Sequence, residues 1–203
     1  MLNKLTSDLE RQQYLDELLI AEKSFFPYIN RLNYVRRIFP RNLHDHVYAF
    51  IETKNSDYAK SKKSEVNIMP KIFNKLSEEE FKMVLHHENQ HCRDFFEGIK
   101  IKEEGVDIFR LRYSVHYAIL ELRAEHARQD FLYWLFKNKR DTLFRNVSLE
   151  FIVESEEMYT SSYFELLNLF TIGLLTDYER RASEKHLLNF GSWLKEEYRY
   201  KKN

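Results

Sequence analysis

Residues 77 to 96, SEEEFKMVLHHENQHCRDFF, constrain the fold more than any other stretch, because their signals all specify one rigid helix. Ser77 followed by Glu80 is a capping box, in which each side chain satisfies a backbone N–H of the other residue. Glu78 and Glu79 favour the positive end of the helix dipole, and no proline or glycine interrupts the run until Gly98. Phe81, Val84, Leu85 and Cys92 can bury one side of the helix against a core. The same helix carries His87, Glu88 and His91 in the order HExxH. Positions four apart share a face, so His87 and His91 can present imidazole nitrogens to one metal ion. Glu88 lies about 100° round from His87, which suits a carboxylate that holds the metal's water without joining the ligands. Two imidazoles suit zinc and leave coordination positions open. His86 points to another face, where packing or solvation is the expected role.

Four glycines and three prolines in 203 residues leave few helix breakers, so long helices should dominate, with no repeat or low-complexity linker. A hydrophobic content of 43% argues against disorder, and the length suits a single domain with a real core. Lys+Arg and Asp+Glu both number 32, so no basic excess points to nucleic acid or an anionic membrane. Cys92, the only cysteine, excludes an internal disulfide and fits a reducing compartment, with a structural role for the thiol. The N-terminal stretch MLNKLTSDLERQQYLDELL is charged throughout and lacks the apolar core of a secretory signal. The most apolar run, Phe164 to Leu175, is interrupted by Glu165, Asn168 and Thr171 and is too short to span a bilayer. The expectation is a cytoplasmic protein without a membrane segment.

Taken in order, Leu9, Leu15, Leu18, Leu19 and Ile20 predict a helix from Thr6 to Lys23, and a second helical piece is expected from Tyr28 to Ile38, before Pro40. His46 to Thr53 and Val66 to Met69 read as strands, separated by a polar, lysine-rich loop, NSDYAKSKKS. Gly98 to Asp107 reads as a charged turn. Helices are expected over Phe109–Lys137, Ser148–Leu175 and Tyr178–Tyr200, the last two with core stripes at Leu166, Leu167, Phe170 and Leu174, and at Leu187, Leu188, Phe190 and Trp193. The predicted class is therefore α+β, predominantly helical, with a small β-sheet or hairpin.

A hydrolytic zinc site usually has three protein ligands, so a carboxylate remains to be found. Asp94 shares a face with His91 but lies about 10 Å of rise from His87. Glu121 and Glu125 share a face of the next helix, where one can bind metal while the other hydrogen-bonds a ligand histidine. His116 and Tyr117, about a turn before Glu121, are candidate oxyanion donors.

With these residues in view, the sequence resembles the gluzincin metallopeptidases, particularly minigluzincins and the HtpX-like peptidases. The likeness runs from about Val66 to Arg128 and rests on VNIMP-KIFNKLSEEEFKMVLHHENQH followed by ELRAE. HExxH is its specific part. The resemblance implies one zincin-like domain over 1–203, with N-terminal helices over 1–43, a catalytic core over 44–137 and C-terminal helices over 138–203. It also implies Zn2+ on His87, His91 and Glu121, with Glu88 as catalytic base, Glu125 as partner of a ligand, and a protein or peptide substrate. The chain departs from the family pattern in having Asn89 and Gln90 inside the motif and Glu125 where aspartate is usual. Those departures leave a catalytically silent binding or regulatory module as the alternative. A helical-bundle carboxylate metalloprotein is a further alternative, because Glu88 to His91 is also an ExxH, but a second ExxH is missing.

Overall fold

The computed structural model describes residues 2–35, 49–51, 65–97, 99–101, 104–106 and 113–171. These are predominantly helical with a small mixed sheet, an α+β arrangement. After a 3-10 turn at Leu2–Lys4, helix α1 runs over Asp8–Ala21. Ser7 caps it: its Oγ accepts from Glu10 N at 3.2 Å while Glu10 Oε2 accepts from Ser7 N at 2.9 Å. Of the five apolar residues assigned to one stripe, Leu15 and Leu18 are buried, whereas Leu9 and Ile20 are each 79% exposed. The core-facing stripe of α1 is thus narrower than its apolar residues suggested.

The piece expected to be helical over Tyr28–Ile38 instead contains strand β1, Arg31–Tyr34. Its partner is the central strand β3, Glu65–Ile68, paired parallel with Leu32 opposite Val66. β2, Ala49–Ile51, pairs antiparallel on the other side of β3. A ladder with a partner 34 residues away supplies backbone hydrogen bonds that local pattern cannot reveal, and it overrides the helical reading. The outer side of β1 is not left open. Gln12 of α1 donates to Leu32 O at 2.8 Å and accepts from Tyr34 N at 2.8 Å, so one side chain satisfies the edge strand's backbone.

After Pro70, the short helix α2, Lys71–Lys75, buries Ile72 and Phe73. Helix α3 follows over Glu78–Glu97, with the anticipated capping box: Glu80 N donates to Ser77 Oγ at 3.2 Å and Ser77 N donates to Glu80 Oε2 at 2.7 Å. Phe81, Val84, Leu85 and Cys92 are all buried, joined by Met83. The expected charged turn after α3 contains an antiparallel hairpin of β4, Ile99–Ile101, and β5, Glu104–Val106. Helix α4, Tyr113–Asn138, packs against α3 on one side and against α6, Leu149–Thr171, on another. An unanticipated short helix α5, Arg140–Asn146, links them. Glu80 also fastens the start of α6, since its Oε1 accepts from Ser148 N at 2.8 Å and from Ser148 Oγ at 2.7 Å. One buried carboxylate therefore serves the N-termini of two helices.

Leu166 is buried as expected of α6. Among the described residues no helix is long and apolar enough to cross a membrane. The loop NSDYAKSKKS, most of the expected strand over His46–Thr53, the Phe170 side chain, Leu174 and the helix expected at Tyr178–Tyr200 lie outside the described residues.

Candidate metal centre

The centre is built where α3 crosses α4. The 3.6-residue period stacks His87 and His91 on one face of α3, and their Nε2 atoms lie 3.0 Å apart. Glu121, from α4, spans both: Oε2 is 3.7 Å from His87 Nε2 and Oε1 is 3.4 Å from His91 Nε2. One ligand atom from each of the three lies within 4.8 Å of the others. Ligands at 2.0–2.2 Å on the corners of a tetrahedron are about 3.3 to 3.6 Å apart, so spacings of 3.0 to 3.7 Å need little adjustment. Two imidazole nitrogens and one carboxylate oxygen are also a donor set that zinc accepts.

Glu125 lies one turn beyond Glu121, with 1% of its side chain exposed and Oε1 3.1 Å from His87 Nδ1. Its other oxygen forms an ion pair with Arg128. Among the described residues neither His87 Nδ1 nor the Glu125 oxygens have a hydrogen bond of good geometry, although all three atoms are buried. Glu88 is buried beside the histidines. Burial first, with Glu121 and Glu125 adding to it, raises the Glu88 carboxyl above its ordinary range, while both histidines oppose the rise. Burial pulls His87 down, but Glu125 foremost, then Glu121 and Glu88, outweigh it and lift its pKa to about 9. Three carboxylates thus favour a positive charge at His87, which a proton or a metal cation can supply.

The other candidates separate from this group. Asp94 is not among the converging atoms, in keeping with its distance along the helix from His87. Arg123 Nε donates to its Oδ2 at 2.8 Å, Arg123 Nη2 donates to Oδ1 at 2.7 Å, and Gln90 Nε2 also donates to Oδ1 at 2.7 Å. The backbones of His116 and Tyr117 belong to α4, but their side chains lie outside the described residues, so neither is assigned as an oxyanion donor. His86 is a packing residue, stacked on Phe131 with ring centroids 4.2 Å apart. Cys92 is buried, in keeping with a structural thiol.

The two unusual residues inside the motif have structural partners. Asn89 Oδ1 accepts the backbone N–H of Tyr28 at 3.0 Å, and Gln90 holds Asp94. Both are turned to neighbouring chain rather than to the histidine pair. Sequence reasoning missed Arg123 and Arg128. The only local signal was the spacing of Arg128 three residues after Glu125, which makes the two helix neighbours.

The chain matches no protein-family model, no curated protein and no solved structure.

Proposed function

We propose that the chain is a zinc-dependent metallopeptidase of gluzincin type, with a zincin-like domain built around α3 and α4. The observation that carries this reading is the convergence of His87 Nε2, His91 Nε2 and a Glu121 carboxylate oxygen within 4.8 Å, with Glu88 buried next to them.

In this reading His87, His91 and Glu121 hold the ion. Zinc bound there would act as a Lewis acid, lowering the pKa of water from 15.7 toward about 7 and polarising a scissile carbonyl. Glu88 accepts the proton of the attacking water and returns it to the departing amine. Burial raises its carboxyl above the ordinary range, the direction that suits a group which must both take and give a proton. Glu125 orients His87 through Nδ1, which keeps Nε2 directed at Glu121 and His91. The carboxylate-bundle alternative needs further carboxylates for a second metal, whereas Glu125 is engaged with Arg128 and Asp94 with Arg123.

Hydrolysis of a mixed peptide library, followed by mass spectrometry, tests the reading. Wild type loaded with zinc is expected to cleave, and Glu88→Gln is expected to keep zinc and fold while losing about 10²- to 10⁴-fold in turnover. A Glu88→Gln protein with wild-type turnover would exclude this mechanism. A zinc-loaded wild type inert toward the whole library would favour the silent binding module.

A further inference from the structure

Arg128 has an environment that its charge does not favour. It lies on α4, two turns after Glu121 and one after Glu125, and only 5% of it is exposed. A buried guanidinium needs a partner, because removing a charge from water is unfavourable unless pairing offsets it. The partner is Glu125, whose Oε2 faces an Arg128 Nη2 at ion-pair distance, and the same nitrogen reaches the backbone oxygen of Ser155 on α6 at 3.5 Å.

Glu121 and Glu125 are chemically equivalent, one turn apart on one face of α4, and either could serve as a metal ligand. What differs is what stands behind them. Glu125 has one oxygen against Arg128 and the other 3.1 Å from His87 Nδ1, whereas Glu121 has both oxygens facing histidine Nε2 atoms. We propose that Arg128 is a positioning residue which fixes this division of labour. By holding one oxygen of Glu125, it keeps that carboxylate behind His87 and leaves Glu121 as the carboxylate directed at the metal position. Ser155, through its backbone oxygen, and the buried contact of Gln129 Nε2 with Ser155 Oγ at 3.0 Å tie this stretch of α4 to α6. The inference rests on the zinc reading above.

The test is a double-mutant cycle on zinc affinity, measured by competition with a chromophoric chelator, for wild type, Arg128→Met, Glu125→Gln and the double variant. Arg128→Met is expected to weaken zinc about 10-fold, within the range typical for residues that support a ligand. In the Glu125→Gln background the same change is expected to alter affinity by less than about 2-fold, because the group through which Arg128 acts no longer takes that charge. Arg128→Lys is expected to restore most of the affinity by supplying a point charge to Glu125. If Arg128→Met does not fold, Arg128→Gln takes its place in the cycle, with a smaller loss in the same direction. Unchanged zinc affinity in a folded, less stable Arg128 variant would overturn the inference and leave Arg128 as a strut between α4 and α6. Additive losses in the cycle would overturn it as well. A wild type that takes up no zinc would overturn the metal reading itself and this inference with it.

Discussion

Arg123 grips Asp94 with two parallel hydrogen bonds across the α3–α4 interface, Nε to Oδ2 at 2.8 Å and Nη2 to Oδ1 at 2.7 Å. The carboxylate is 1% exposed, so the pair works largely out of water. It lies two residues along α4 from Glu121 and three along α3 from His91, and therefore sets the register in which the two helices meet.

Asp94→Ala should accordingly act on stability rather than on metal. Removing one partner of a buried pair strands the other, at a cost of about 3 kcal/mol here, the low end of the usual range because Arg123 keeps some access to water. Chemical denaturation checks the magnitude. Zinc affinity, measured where the variant is fully folded, is expected to stay within a few-fold of wild type, and an emptied site would make Asp94 a ligand after all.

The two glutamates of α4 should separate in the same titration. Glu121→Ala removes a carboxylate 3.4 to 3.7 Å from both imidazoles and is expected nearly to abolish zinc binding. Glu125→Ala removes only the partner of His87, and a loss of about 10- to 100-fold, or roughly 1.4 to 2.8 kcal/mol, is expected. An inverted order, with Glu125→Ala emptying the site and Glu121→Ala binding normally, would reverse the roles.

What could be read from the sequence follows from how far each signal reaches along the chain. The helix over α3 was legible because Ser77, Glu80 and the apolar positions 81, 84 and 85 all act within a few residues of one another. The shared face of His87 and His91 was legible for the same reason. β1 was not, because its ladder is completed by Glu65–Ile68 and its edge by Gln12, neither of which is near it in the sequence. The second task of Glu80, holding Ser148 at a distance of 68 residues, was hidden likewise. At the candidate site, the roles of Glu121 and Glu125 rested on a resemblance. The packing that distinguishes them depends on Arg128, and the structural role of Asp94 was hidden because its partner Arg123 is 29 residues away.

His86 offers a pH dependence that can be isolated. Burial against Phe25, Phe26 and Phe131 depresses its pKa from 6.5 to about 4, with Glu22 opposing, and its Nε2 has no hydrogen-bond partner among the described residues. Between pH 6.5 and 4 the unfolded chain therefore binds a proton that the folded protein does not. The contribution is fully present above pH 6.5 and is lost as the pH falls toward 4, at up to about 1.4 kcal/mol per pH unit. Denaturation of wild type and His86→Phe across this window should show a shallower loss for the variant. Parallel profiles would mean that His86 is protonated in the fold.

Metal analysis of the purified protein tests most directly whether His87, His91 and Glu121 form a zinc site. One zinc per chain is expected for wild type after zinc loading and desalting, and almost none for the double variant His87→Ala/His91→Ala handled identically. Two irons per wild-type chain, or a double variant that keeps one zinc, would contradict that assignment.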